Sequence, residues 1–112
     1  MTPPKQRGEV WWVEFDPFVG TEICITRPGA IVSNNAANRN LSRVVVIPLT
    51  SNTDMVYQGE ALVILAGHNS KAMTDQIMAA DKVQLKAKIE SMSKSDMLAV
   101  ELAIWVQLGL AL

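Results

Sequence analysis

The chain has 112 residues, 49% of them hydrophobic, which fits one compact domain spanning residues 1–112 and excludes a disordered polar chain. Ten Lys plus Arg against eleven Asp plus Glu leave a net charge of −1, so any polyanion must be met by a local basic patch and not by overall charge. Cys24 is the only cysteine, which rules out an intramolecular disulfide and points to a reducing, cytoplasmic setting.

The N-terminal residues 1–7 carry charge with no apolar stretch behind it and do not read as a signal peptide. Residues 10–15, rich in aromatic and β-branched side chains, predict a strand that stops at Asp16-Pro17, with Trp11, Val13 and Phe15 on one face. A loop over 18–27 precedes a short strand at 30–33. Residues 34–42, polar and rich in Asn, predict a loop. The run Arg43-Val44-Val45-Val46-Ile47-Pro48-Leu49 predicts a strand covered on both faces, ending or reaching an edge at Pro48. Further strands are expected over 60–65, 75–80 and 84–89, with turns at 67–70 and at Asp81-Lys82.

Residues 93–96, Ser-Lys-Ser-Asp, fit a capping box that starts a helix running to about Gly109. Its apolar residues lie on every side, which predicts burial on more than one face, the second against another subunit. With a carboxylate at Glu101, the apolar residues 97–112 are too short for a membrane span of about 20 residues. Five to six short strands followed by one helix give a mainly β (α+β) domain: a small, bent antiparallel sheet or partly open barrel.

His68 is the only histidine, so a two-histidine acid/base pair cannot form within the chain. No Cys/His cluster has metal-ligand spacing, and no phosphate-cradling glycine motif is present. No metal or other cofactor is therefore expected. Three features remain: the loop Asp16-Pro17-Phe18-Val19-Gly20-Thr21-Glu22 leading to Arg27-Pro28, the Pro48-Leu49-Thr50-Ser51 step after the Val-rich strand, and Asp75-Gln76-Ile77 with Asp81-Lys82.

Together with the opening Gly8-Glu9-Val10-Trp11-Trp12 segment, these run in the order found in MazF/PemK toxin ribonucleases, and the chain resembles that family over nearly its whole length. The resemblance implies an SH3-like barrel with a C-terminal helix, usually a homodimer. It implies cleavage of single-stranded RNA at short sequences without a metal, leaving 2′,3′-cyclic phosphate and 5′-hydroxyl ends. The family's catalytic Arg and Thr fall on Arg27 and Thr50, its loop Glu on Glu22 and its fifth-strand Gln on Gln76.

Attack by a 2′-hydroxyl builds negative charge on phosphate oxygens. A planar guanidinium at Arg27 can bind two of them at once, and the Thr50 hydroxyl adds a donor. An ordinary arginine stays protonated near neutral pH, so Arg27 stabilises charge and protonates the leaving oxygen, while Glu22 is the in-chain candidate for general base. Phe18 can stack on a base. Thr21, Asn34, Ser51 and Gln76 can contact the strand or read base edges, and Lys82, Lys86, Lys88, Arg39 and Arg43 can hold phosphates. A toxin of this kind implies an acidic, partly disordered antitoxin that folds across the RNA groove.

Two departures from the family pattern stand out: apolar Ile23-Cys24-Ile25 after Glu22, and Met78 where a basic residue is common. The competing readings are a gyrase-directed toxin of the CcdB branch and a non-catalytic SH3-like binding module. The former relies on a Trp-Gly-Ile type C-terminus, whereas this chain ends Gly109-Leu110-Ala111-Leu112.

Overall fold

The computed structural model describes residues 3–15 and 25–110. Glu9–Phe15 (β1) pairs antiparallel with Ile25–Ile31 (β2), and β2 pairs with Arg43–Thr50 (β3). Along β3 the other edge is shared. Residues Arg43 to Val46 meet Met78–Asp81 (β6), and Leu49 and Thr50 meet His68–Ala72 (β5). Ala61–Leu65 (β4) pairs with β5 at one end of the sheet, and Leu85–Ser91 (β7) pairs with β1 at the other.

This split explains Pro48. The sequence suggested a strand end or an edge, but β3 continues through Pro48 as an interior strand. The Pro48 carbonyl accepts from Met73 N at 2.9 Å on the side where β6 gives way to β5. A missing N–H is tolerated at that break between two ladders.

The sheet is bent and half closed, with apolar residues on both faces. One cluster contains Val13, Phe15, Ile31, Val44, Val46, Ala80 and Leu85, with Trp11 packed on it, so the predicted Trp11/Val13/Phe15 face holds. The other contains Val10, Ile47, Leu49, Val63 and Ala72, and is covered by the C-terminal helix Lys94–Leu108 (α2) through Val100 and Ala103. Ordinary alternation along β1 places Val10 in one cluster and Val13 and Phe15 in the other, and its pairing with β7 is irregular at Val10/Trp11 and Trp12/Val13.

α2 begins where the sequence placed it. Ser93 Oγ accepts from Asp96 N at 3.1 Å, and Gly109 closes the helix in the left-handed conformation at φ 66. Asp96 does not reach back to Ser93 as a capping box requires. Its Oδ2 accepts instead from Ile64 N on β4 at 3.0 Å, tying the helix start to the sheet edge. Of the described residues, no helix is long and apolar enough to cross a membrane.

Three further expectations are corrected. The Asn-rich segment is not a loop: Asn35–Asn40 forms a helix (α1), with Asn34 Oδ1 accepting from Ala37 N at 2.8 Å. Buried Asn38 satisfies its amide on Ser33, donating to the backbone oxygen at 2.9 Å. The predicted turn at 67–70 is largely β5, because pairing to β3 and β4 overrides the turn preference of His68-Asn69-Ser70. Among the described residues the barrel therefore has seven strands. The predicted 75–80 strand begins instead as a 3-10 turn, Thr74–Gln76, leading into β6.

Candidate active site

Arg27 lies in β2 directly across from Val13 of β1. Residues opposite each other in an antiparallel pair project from the same face. Val13 belongs to the inner cluster, so Arg27 rises from the face turned away from α2. Two residues on, Gly29 has no room for a side chain: a Cβ there would lie 2.9 Å from Val13 Cγ2. The close approach of β1 and β2 at Gly29 fixes the backbone that carries Arg27.

β2 and β3 pair as Ala30 with Ile47 and Gly29 with Pro48. The pairing ends at Gly29 and Pro48; continued in the same register it leads to Arg27 and Thr50, which share a face of the sheet. Thr50 pairs with Lys71 of β5, and Lys71 with Leu62 of β4. Arg27, Thr50, Lys71 and Leu62 thus form a row across four strands on the face opposite α2. The two residues singled out from the sequence, 23 positions apart, lie on the same face of neighbouring strands.

The local chemistry suits an anionic ligand. Thr50 Oγ1 accepts from Asn52 N at 3.2 Å, which orients the hydroxyl and leaves its proton to donate outward. Asn52 Oδ1 then accepts from Asp54 N at 3.2 Å, so two successive side-chain turns shape the chain after Thr50. Ser51, next to Thr50, is exposed. None of the ion pairs among the described residues engages Arg27, so no described carboxylate competes with a phosphate for its guanidinium. Lys86 and Lys88, by contrast, pair with Glu14 at 3.7 Å and Glu9 at 3.3 Å.

Among the described residues, the Glu9 carboxyl titrates below its ordinary range. Partial burial pushes its pKa up, but hydrogen bonds from Trp11 and from Gln6 N, with the Lys88 ammonium, outweigh burial and hold it below the usual glutamate range. It anchors the start of β1 and lies in the structural part of the barrel.

The remaining predicted contacts are dispersed. Asn34 caps α1 and lines a cleft of about 580 Å³ on the α2 side, with Arg7, Ser33, Glu101, Ile104 and Trp105. That cleft is spanned by the Arg7–Glu101 pair at 2.5 Å and lies on the face away from Arg27 and Thr50. An extended polynucleotide needs an open charged face more than an enclosed cavity, so the row and not the cleft is the candidate site. Gln76 is exposed in the turn after β5, its Nε2 3.5 Å from Met73 Sδ. Lys82 and Arg43 sit at the far end of β3, roughly 23 Å from Thr50 along the strand. Arg39 is exposed in the last turn of α1. Phe18, Thr21 and Glu22 fall outside the described residues, as do Ile23 and Cys24. Among the described residues, no three His, Cys, Asp or Glu side chains gather as a metal site requires.

Sequence reading missed the groups that hold the segment after Thr50. Lys71 Nζ donates to Met55 O at 2.6 Å and to Glu60 Oε1 at 3.1 Å, and sits 5.3 Å from the centre of the Tyr57 ring. Glu60 Oε1 also accepts from Tyr57 N at 2.8 Å. No spacing motif links Lys71 to Glu60. Only the β3–β5 pairing makes them neighbours of the site.

Residues 6–108 match the model of the PemK-like, MazF-like toxin of type II toxin–antitoxin systems. The chain belongs to the PemK/MazF toxin family. Endoribonuclease MazF9 of Mycobacterium tuberculosis (strain ATCC 25618 / H37Rv) is a relative 31% identical over 114 residues, covering 94% of this chain and 97% of its own. A mycobacterial endoribonuclease, solved in complex with its cognate antitoxin, superposes with a TM-score of 0.79 at 25% identity, covering 96% of this chain and 98% of its own. MazF of Deinococcus radiodurans has the same fold, with a TM-score of 0.81 at 20% identity over 97% of this chain and all of its own. PemK/MazF membership accounts for the ordered segments read from the sequence and for the barrel with its C-terminal helix.

Proposed function

We propose that this PemK/MazF-family chain is a toxin endoribonuclease that cleaves single-stranded RNA at short sequences. The observation that supports the reading is that Arg27 and Thr50 stand on the same face of neighbouring strands, with no described acid paired to Arg27. Its relative is named as an endoribonuclease over the same length, which supports the same chemistry here.

In the proposed reaction the 2′-oxygen attacks the adjacent phosphorus, forming a new O–P bond as the P–O5′ bond breaks. The Arg27 guanidinium binds non-bridging oxygens as charge grows on them, and the Thr50 hydroxyl donates to the same phosphate and keeps it in line. Glu22 is proposed to take the 2′-hydroxyl proton, and Arg27 to protonate the leaving 5′-oxygen. Both recover their resting charge by exchange with water. The products are a 2′,3′-cyclic phosphate and a 5′-hydroxyl, and the reaction as drawn uses no metal. Ser51 beside Thr50, with Phe18, Thr21, Asn34, Gln76 and Lys82, is proposed to guide the strand and read bases, the more distant of them further along the RNA.

The proposed setting is the cytoplasm, with mRNA as substrate, a homodimer as the working form and a cognate antitoxin as inhibitor. The antitoxin complex of the mycobacterial neighbour supports the last point. Purified wild type incubated with long single-stranded RNA in EDTA, followed by sequencing of fragment ends, should show cuts at one short recurring motif with 5′-hydroxyl ends. Folded, antitoxin-free protein that leaves the RNA whole would overturn the reading in favour of a binding module or a gyrase-directed toxin.

A further inference from the structure

The segment between β3 and β4 leaves the active row at Thr50 and returns over it, and its most exposed aromatic residue is held from below. Tyr57 is 61% exposed, so most of its ring is open to solvent. Its position is nevertheless fixed. Its amide donates to Glu60 Oε1 at 2.8 Å, and the Lys71 ammonium lies 5.3 Å from the ring centre. Lys71 and Glu60 are almost withdrawn from solvent, with side chains 11% and 8% exposed, and are paired at 3.1 Å. The third donor contact of Lys71, to Met55 O, fixes the backbone two residues before the ring. Because Lys71 is the cross-strand neighbour of Thr50, Tyr57 lies within one strand step, a lysine side chain and the 5.3 Å from ammonium to ring centre of Thr50.

An ammonium against an aromatic ring, itself neutralised by a buried carboxylate, is a means of holding the ring in place and not a free phosphate contact. The surroundings of the ring match a nucleobase better than a phosphate. Leu62, next to Lys71 in the same row, is 56% exposed, and Met55 and Val56 beside Tyr57 are exposed as well. An apolar strip with a fixed aromatic therefore adjoins the cationic Arg27 and the hydroxyl of Thr50. A single-stranded RNA crossing that face sets its phosphate against the charged end and an adjacent base over the strip. Unstacked bases offer flat apolar faces that aromatic side chains bind regardless of sequence, and neighbouring groups then read their edges.

We infer that Tyr57 is the stacking platform for a base of the RNA next to the cleaved phosphate, and that Lys71, held by Glu60, is the positioning residue that keeps the ring in place. The inference rests on the RNA-cleaving reading of the Arg27–Thr50 row. It adds the subsite through which a base is held and places that subsite on residues outside the segments that carry the family resemblance.

The test is a binding cycle with a fully 2′-O-methylated oligonucleotide containing the cleavage motif, which binds but cannot be cut. Wild type, Tyr57→Ala, Tyr57→Phe and Lys71→Arg are titrated against it by fluorescence anisotropy. Each is also titrated against copies in which single bases near the cut are replaced by abasic sites. The expected result is roughly ten-fold weaker binding for Tyr57→Ala and near wild-type binding for Tyr57→Phe and Lys71→Arg. One abasic position should weaken binding to wild type by a similar factor and add nothing to the loss in Tyr57→Ala, which identifies the stacked base. Circular dichroism and thermal melting confirm that each variant is folded. Wild type that cuts RNA, beside a folded Tyr57→Ala that binds every oligonucleotide as wild type does, overturns this inference alone. Wild type that neither cuts nor binds RNA overturns the functional reading and the inference together.

Discussion

Ala66 sits at φ 50, in the left-handed region, followed by Gly67 at φ 79. These two residues turn β4 into β5, and two successive positive φ values form the hairpin turn that matches the twist of paired strands. Asn or Gly fits the first position, whereas Ala there carries a steric cost of about 1 kcal/mol. Ala66→Asn should therefore raise stability by about 0.5–1 kcal/mol in urea unfolding, without altering RNA cleavage. An unchanged or lower midpoint would mean that the turn is not strained. Glu9 makes a complementary prediction. Its folded pKa is held below its ordinary value, so its contribution is present above about pH 4.3 and is lost as pH falls through the lowered value. Stability curves of wild type and Glu9→Gln should differ at pH 6 and converge towards pH 3. A constant gap across that range would argue against an ionised Glu9 as the anchor.

At the scale of elements, the free edge of β4 is covered by carboxylates from two neighbours. Asp96 of α2 accepts from Ile64 N at 3.0 Å and Glu90 of β7 from Ala66 N at 2.9 Å. Edge strands with unpaired amides invite pairing with other chains, and capped amides discourage it. Asp96→Ala should speed hydrogen exchange at Ile64 while leaving the middle of α2 protected, at a cost of about 1–2 kcal/mol. Unchanged protection at Ile64 would remove Asp96 from that role.

The same elements show what the sequence could and could not reveal. Hydrophobic runs predicted β1, β3 and α2 because their burial is periodic or continuous. The segments from Arg27-Pro28 to Thr50-Ser51 suggest the candidate site because the resemblance supplies their order. Residues 35–40 and 68–72 depart from expectation for different reasons: in 35–40 the Asn34 cap and the local bonds of buried Asn38 to Ser33 favour a short helix over a loop, whereas in 68–72 two flanking strands overrule local turn chemistry. Lys71 is tied to Glu60 only by the β4–β5 pairing and to Thr50 only by the β3–β5 pairing, and no local spacing signals either.

At the scale of the whole molecule, α2 is apolar beyond what the barrel uses. Val100 and Ala103 face the core, while Leu98, Leu102 and Val106, four residues apart, are each more than half exposed. Such a stripe carries no charge and is self-complementary under two-fold symmetry, which supports the proposed homodimer. Leu102→Glu should convert a dimer into a monomer by sedimentation at tens of micromolar protein. A wild type that sediments as a monomer at that concentration would contradict the proposal.

The central claim, that Arg27 and Thr50 act together on one phosphate, is tested most directly by single-turnover cleavage of a short RNA containing the motif. Rates are compared for wild type, Arg27→Ala, Thr50→Ala and the double variant, all shown to be folded. The account predicts losses of about 10²–10³-fold for each single variant, the range for removing one stabilising donor. It also predicts a double variant little slower than the worse single one, as expected of groups that serve one transition state. Cleavage at the same sites and at wild-type rates in both single variants would show that the chemistry lies elsewhere on the barrel.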